Sequence, residues 1–156
     1  IIMKPQFIPG TNIPVYYVDN IDDVRQMANE MKINAVQQKL DKPCEYSNTL
    51  KELEEKVKSL DSMKLPKLAV AMVYQKQLYS LILTCEKQDS CKFEEVWHLS
   101  IGQTSAINGL PEKLNEEVAK FILTAFFEEY SEVGPFGVLS QVRHFIAPKT
   151  MPENSK

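Results

Sequence analysis

Leu68-Ala69-Val70-Ala71-Met72-Val73-Tyr74, Gln75-Lys76-Gln77 and Leu78-Tyr79-Ser80-Leu81-Ile82-Leu83-Thr84-Cys85 form the stretch that decides the fold of this chain. Two runs rich in β-branched and aliphatic residues, separated by three polar ones, predict a hairpin. Near-continuous apolar character, as in Leu81-Ile82-Leu83, means that both faces of these strands meet protein, so helices or a second sheet must cover both sides. The sheet is therefore expected to be central.

C-terminal to the hairpin, Lys87 to Lys92 reads as a polar turn and Phe93 to Ile101 as an alternating strand. Phe93, Trp97, Leu99 and Ile101 point one way, and Glu94, Val96, His98 and Ser100 the other. Gly102 to Gly109 reads as a loop of small and polar residues. Leu110-Pro111 then opens the strongest helix, with Leu114, Val118, Phe121, Ile122, Ala125 and Phe126 on its apolar face and Gly134-Pro135 as its stop. A closing strand spans Val138 to Ala147.

N-terminal to the hairpin, Thr49-Leu50-Lys51-Glu52 is a capping box that opens a helix whose stripe is Leu50, Leu53, Val57 and Leu60. Its other face pairs Glu52 with Lys56 and Glu54 with Lys58 and is expected in solvent. Asn20 caps an earlier helix that carries Asp22 and Asp23 in its first turn and ends near Leu40. Ile13 to Val18 is a strand whose Pro14 either places it at a sheet edge or confines its pairing to the later residues. Residues 1–12 read as an irregular arm, 13–148 as one domain and 149–156 as a flexible tail. The order β-α-α-β-β-β-α-β groups strands with strands, which predicts an α+β class: a mainly antiparallel sheet with helices packed on it.

Bulk composition narrows the function classes. A chain of 156 residues with 44% apolar and 25% charged residues is an ordinary globular domain. The net charge of −3 offers no cationic excess for a phosphate backbone, so nucleic acid is disfavoured as a partner. No apolar run approaches the roughly 20 residues that span a bilayer, so no membrane span is expected. No secretory leader is visible in Ile1-Ile2-Met3-Lys4-Pro5. Three cysteines, Cys44, Cys85 and Cys91, make an odd set without a recognised spacing. That pattern points to reduced thiols and a cytoplasmic setting, with a Cys85 to Cys91 bridge as the alternative.

The two histidines lie in look-alike segments, Val96-Trp97-His98-Leu99-Ser100-Ile101 and Val142-Arg143-His144-Phe145-Ile146-Ala147. If their strands are neighbours, His98 and His144 can face one cleft as base and acid for phosphoester cleavage, with Ser100 as a phosphate contact. The second segment departs from that pattern, because Ile146 stands where a hydroxyl residue would complete the phosphate grip. The plain reading is a pair of hydrogen-bonded structural histidines. Cys44, Cys85, Cys91 and His98 lack the tight two-residue pairs of structural zinc sites, so no metal is assigned. No Gly-x-Ser-x-Gly elbow and no phosphate-cradling glycine loop occur, and no cofactor is expected. Gly134-Pro135-Phe136-Gly137 reads as a helix cap and turn. Glu128, Glu129 and Glu132 read as a solvated helix end.

Candidates for contact are the exposed Tyr16 and Tyr17, together with Trp97 and with Gln103, Thr104 and Ser105 of the glycine-flanked loop. The plain alternative for Tyr16 and Tyr17 is that they cover the two faces of an edge strand. The unit from Phe93 to Ala147 resembles small bacteriophage-encoded proteins of uncharacterised function, in which a His-Leu-Ser strand, a helix and a final His-containing strand succeed one another. That resemblance implies an inhibitor or adaptor from a phage or mobile element. The sequence thus favours a small cytoplasmic binding or regulatory protein that contacts a protein partner or a second copy of itself. A phosphoesterase-like hydrolase using His98, Ser100 and His144 is the alternative.

Overall fold

The hairpin predicted at Leu68 to Cys85 is the centre of the molecule. The computed structural model describes residues 5–37, 40–43, 49–58, 68–89, 95–136 and 141–149. Within them it is an α+β fold, three helices on one mostly antiparallel sheet. The elements in chain order are β1 (Gln6–Phe7), β2 (Pro14–Val18), α1 (Ile21–Val36), β3 (Leu40–Pro43), α2 (Leu50–Lys58), β4 (Leu68–Tyr74), β5 (Gln77–Asp89), β6 (Glu95–Thr104), β7 (Pro111–Glu112), α3 (Glu116–Phe126), β8 (Ser131–Phe136) and β9 (Val142–Lys149). The sheet runs β1-β2-β4-β5-β6-β9-β8, with β3 added to β5 and β7 to β6. Only β2 with β4 and β3 with β5 are parallel.

The turn between β4 and β5 has two residues, one fewer than the sequence suggests. Gln75 and Lys76 both take positive φ, 52° and 65°. Two consecutive left-handed residues match the right-handed twist of the flanking strands, which is why such turns close short hairpins.

Strand alternation then sorts the interior into two. On one face, Tyr79, Leu81, Leu83 and Cys85 of β5, Trp97, Leu99 and Ile101 of β6, and Phe145 and Ala147 of β9 join buried side chains of α1 and α3 in the larger core. On the other, Val96 of β6 and Ile146 of β9 pack with Val133 of β8 and with Leu50 and Leu53 of α2. The helices form for the reasons read in the sequence. Asn20 Oδ1 accepts the Asp23 amide at 3.0 Å, and Asp23 returns the contact by accepting the Asp19 amide. Thr49 and Glu52 close their reciprocal cap at 3.1 and 3.2 Å.

Several boundaries differ from the sequence reading. The first helix ends at Val36, and Leu40 to Pro43 is a strand, because pairing to β5 gives that backbone its hydrogen bonds. Gln6–Phe7 pairs with β2, so the irregular arm contains a strand and β2 is not the outermost one. Lys87 to Asp89 continues β5 instead of turning, and Gly102 to Thr104 continues β6. The strong helix starts at Glu116, capped by Asn115 Oδ1 on the amides of Glu117 and Val118. Pro111 belongs to β7 instead. That helix stops at Phe126, and the predicted cap at Gly134-Pro135 lies inside β8, where Gly134 with φ of 132° occupies a register shift. The closing strand is Val142–Lys149, so Lys149, assigned to the tail, is in the sheet.

Glu54, expected in solvent, accepts a hydrogen bond from Ser131 and ties α2 to β8. Glu132 is likewise engaged, accepting from Arg143 at 2.7 and 2.8 Å. Arg143 also bonds Glu116, and these carboxylates hold its guanidinium firmly protonated against the opposing effect of burial. Cys85 is buried in the larger core. Cys44, Cys91, Phe93, Glu94, Leu60, the side chains of Lys56 and Lys58, and the tail beyond Lys149 lie outside the described residues. No helix among the described residues is long and apolar enough to cross a membrane.

Candidate functional site

The histidine segments are adjacent strands. β6 pairs antiparallel with β9, with His98 opposite Ile146 and Ser100 opposite His144. Because paired residues share a face, His98, Ser100 and His144 all stand on the α2 side of the sheet. His98 Nδ1 lies 3.4 Å from His144 Nε2, and Ser100 Oγ lies 3.1 Å from His144 Nδ1. The rings are tilted by 50° with centroids 5.5 Å apart, an arrangement in which edge nitrogens meet instead of ring faces.

A fourth residue joins them. Glu86, two positions beyond Thr84 on β5, places Oε1 3.5 Å from His98 Nε2, within ion-pair distance though not aligned as a hydrogen bond. Glu86, His98 and His144 are 1, 2 and 4% exposed, whereas Ser100 is half-buried. The result is a chain of polar groups, Glu86 to His98 to His144 to Ser100, running from the interior toward the accessible part of the sheet. The sequence named three of its four members. Glu86 was missed because the strand was ended at Cys85. The signal that finds it is the alternation Ser80, Ile82, Thr84, Glu86, which continues past that point on one face.

The imidazoles face each other at contact distance. A base and an acid that act on one phosphoester must stand on either side of the phosphorus, and a 3.4 Å gap between nitrogens leaves no room for it. Two residues on from Ser100, Gly102 is buried, and a Cβ there would lie 2.9 Å from Ser80 Oγ and 3.3 Å from Val142 Cγ2, so those side chains already fill the space beside it. Among the described residues no three metal-binding side chains converge.

The contact candidates separate. Tyr16 is 6% exposed and sits in the larger core, where its hydroxyl donates to Glu30 Oε1 at 2.9 Å; it is not a surface anchor. Burial, and then the Glu30 carboxylate, push its phenol up to about 12. Tyr17, its neighbour on the opposite face, is 60% exposed. Gln103 is buried as a joint, donating to Glu112 and accepting the Asn115 amide, both at 2.8 Å. Thr104 pairs with Pro111 in the sheet. Ser105 Oγ accepts the Ile107 amide at 3.2 Å and so shapes a loop that exposes Ile107 and Leu110. Gln103 and Ser105 are thus spent on local structure.

Trp97 is only 5% exposed and belongs to the larger core on the helical side of the sheet. It lines a groove of about 660 Å³ between α1 and the end of α3. Arg25, Asn29 and Lys32, at helical spacing on α1, form one wall; Thr124 to Glu129 form the other, and Pro148 closes an end. Lys32 Nζ sits 6.0 Å from the Trp97 ring centre and 5.6 Å from that of Phe127, within cation–π range. Glu128 and Glu129 line the same groove as Arg25 and Lys32, a role the sequence did not give them. Neither a scan of protein-family models nor searches of curated proteins and solved structures find a match to this chain.

Proposed function

We propose that this protein acts by contact, binding a protein partner in the groove between α1 and the end of α3, as an inhibitor or adaptor would. The observation that carries this reading is the composition of the groove: the largely buried rings of Trp97 and Phe127 line it together with the cations Arg25 and Lys32 and the anions Glu128 and Glu129. Concave sites with an aromatic floor and few charged groups at the rim are where binding energy concentrates, because the floor excludes water and the rim fixes orientation. A polypeptide segment with an apolar anchor flanked by charges of both signs fits such walls. The burial of both imidazoles, and their contact with each other, weighs against the two-histidine phosphoesterase reading.

Thr124 tests it, because it lines the groove from an exposed position of α3 and a larger side chain there fills the groove without entering the core. With the chain as bait, the expected result is one stoichiometric partner that Thr124→Arg no longer retains. A partner held equally by the variant, or none at stoichiometric amounts, removes the reading. Light scattering distinguishes self-association, which would appear as a dimer of the purified chain and would displace a foreign partner from this account.

A further inference from the structure

We infer that the His98–His144 pair is an acid-sensitive lock in the sheet: it holds one added proton at most, so the fold loosens once the solution supplies a second. The pair lies on the α2 side of the sheet, and the inference is independent of the groove. The facing nitrogens carry it. His98 Nδ1 and His144 Nε2 are 3.4 Å apart, and that contact is a hydrogen bond only when one of them bears a proton and the other is bare. A neutral pair meets the condition with one ring as donor. A singly charged pair meets it too, because the imidazolium donates to the neutral ring. A doubly charged pair does not, since it sets two N–H groups and two positive charges against each other in a buried place.

The surroundings do not relieve that limit. β6 is paired on both sides, with β5 and β9, and β9 likewise with β6 and β8, so neither ring withdraws without loss of ladder hydrogen bonds. Ser100 Oγ, 3.1 Å from His144 Nδ1, serves as donor or acceptor and so admits either state of that nitrogen. On the far side of His98, Glu86 Oε1 stands 3.5 Å from Nε2, an ion-pair distance at which one carboxylate offsets one imidazolium and not two. Among the described residues of α2, Glu54 is engaged by Ser131, and Lys51, Glu52 and Glu55 are exposed. Glu132 of β8 and Arg143 of β9 bond each other on the opposite face. Linkage gives the sign. In the unfolded chain both imidazoles take up protons as the pH falls through about 6.5. The folded chain takes up at least one fewer, so stability is full above that range and declines below it.

Two measurements test this. In the first, urea denaturation of the full chain is followed between about pH 6 and about pH 5, where ordinary carboxylates are still largely ionised. The unfolding constant of the wild type is expected to rise about tenfold over that unit, the slope of one proton. His144→Gln offers His98 an amide oxygen as a neutral acceptor and leaves one ring to charge in either state, so its slope is expected to be nearly flat. A wild-type constant that does not change over this range, or a slope that His144→Gln retains in full, overturns the inference. The second measurement needs no variant: imidazole nitrogen NMR of the folded wild-type chain at about pH 5.5, below the ordinary imidazole range, is expected to show at least one of the two rings still neutral, with a bare nitrogen. Two imidazolium rings in the folded chain at that pH overturn it.

Discussion

Residues 97 to 101 of one strand border two unlike interiors. Trp97, Leu99 and Ile101 enter a core of aliphatic and aromatic side chains beneath α1 and α3, whereas His98 and Ser100, on the other side, join a polar chain beside α2. The first interior is held by area removed from water and by dispersion, which are non-directional and survive small reorientations. The second is held by oriented donors and acceptors, each of which costs free energy if its partner is removed. The difference follows from the cover. Two helices pack on the first face, so it must be apolar throughout. α2 packs on β8 and β9 of the second, which leaves Ser80 and part of Ser100 accessible and lets polar groups connect the interior with the surface.

The largest effect that sharpens this comparison is expected from Leu99→Ala. Leu99 is fully buried and paired in register with Leu83 and Phe145, so its truncation leaves a cavity that close-packed neighbours cannot refill. A loss of about 2–5 kcal/mol is expected from urea denaturation. A loss under about 1 kcal/mol would mean that this face collapses freely and is not the rigid side of the molecule.

The adjacent residue gives the contrast. His98→Phe keeps a ring of similar size but removes the hydrogen-bond partner of His144 Nε2 and a polar neighbour of Glu86. About 1–3 kcal/mol of destabilisation is expected, the usual cost of leaving a buried polar group without its partner. A neutral or stabilising result would break the distinction, because it would show that the second face tolerates an apolar filling as readily as the first.

How much of this was legible in the sequence differs between the two faces for the same reason. Non-directional burial leaves a periodic trace, and the run from Leu68 to Cys85 together with Trp97, Leu99 and Ile101 was enough to place the central strands and the class. The caps at Asn20 and Thr49 were legible because their chemistry is local, within three residues. Directional contacts leave no periodic trace. That His98 and His144 meet depends on β9 crossing beside β6, and Glu86 joins them only because β5 runs four residues beyond Cys85. Long-range pairing also overrode local signals: Pro111 and Gly134-Pro135 look like helix punctuation, yet each lies in a strand that takes its hydrogen bonds from a neighbour. The groove was hidden for a related reason, since Arg25, Trp97 and Phe127 come from three elements.

Tyr16 supplies the smallest and most specific test, because it is a polar group placed at the margin of the apolar face. Its hydroxyl donates to Glu30, and burial followed by that carboxylate raise its phenol from the ordinary 10 to about 12. A raised acid in the folded state means that folding favours the protonated phenol. Its contribution is therefore fully present below pH 10 and is lost as the pH rises toward 12, where the unfolded chain ionises first. Tyr16→Phe is expected to cost about 1 kcal/mol near neutral pH, the usual net value of one hydrogen bond. That cost should shrink steadily between pH 10 and 12 in parallel denaturation series, since the variant has no phenol at this position to lose a proton. A difference between the two proteins that stays constant across this window would mean that the phenol ionises as easily folded as unfolded, and that the apolar face is open to water at the Tyr16 margin.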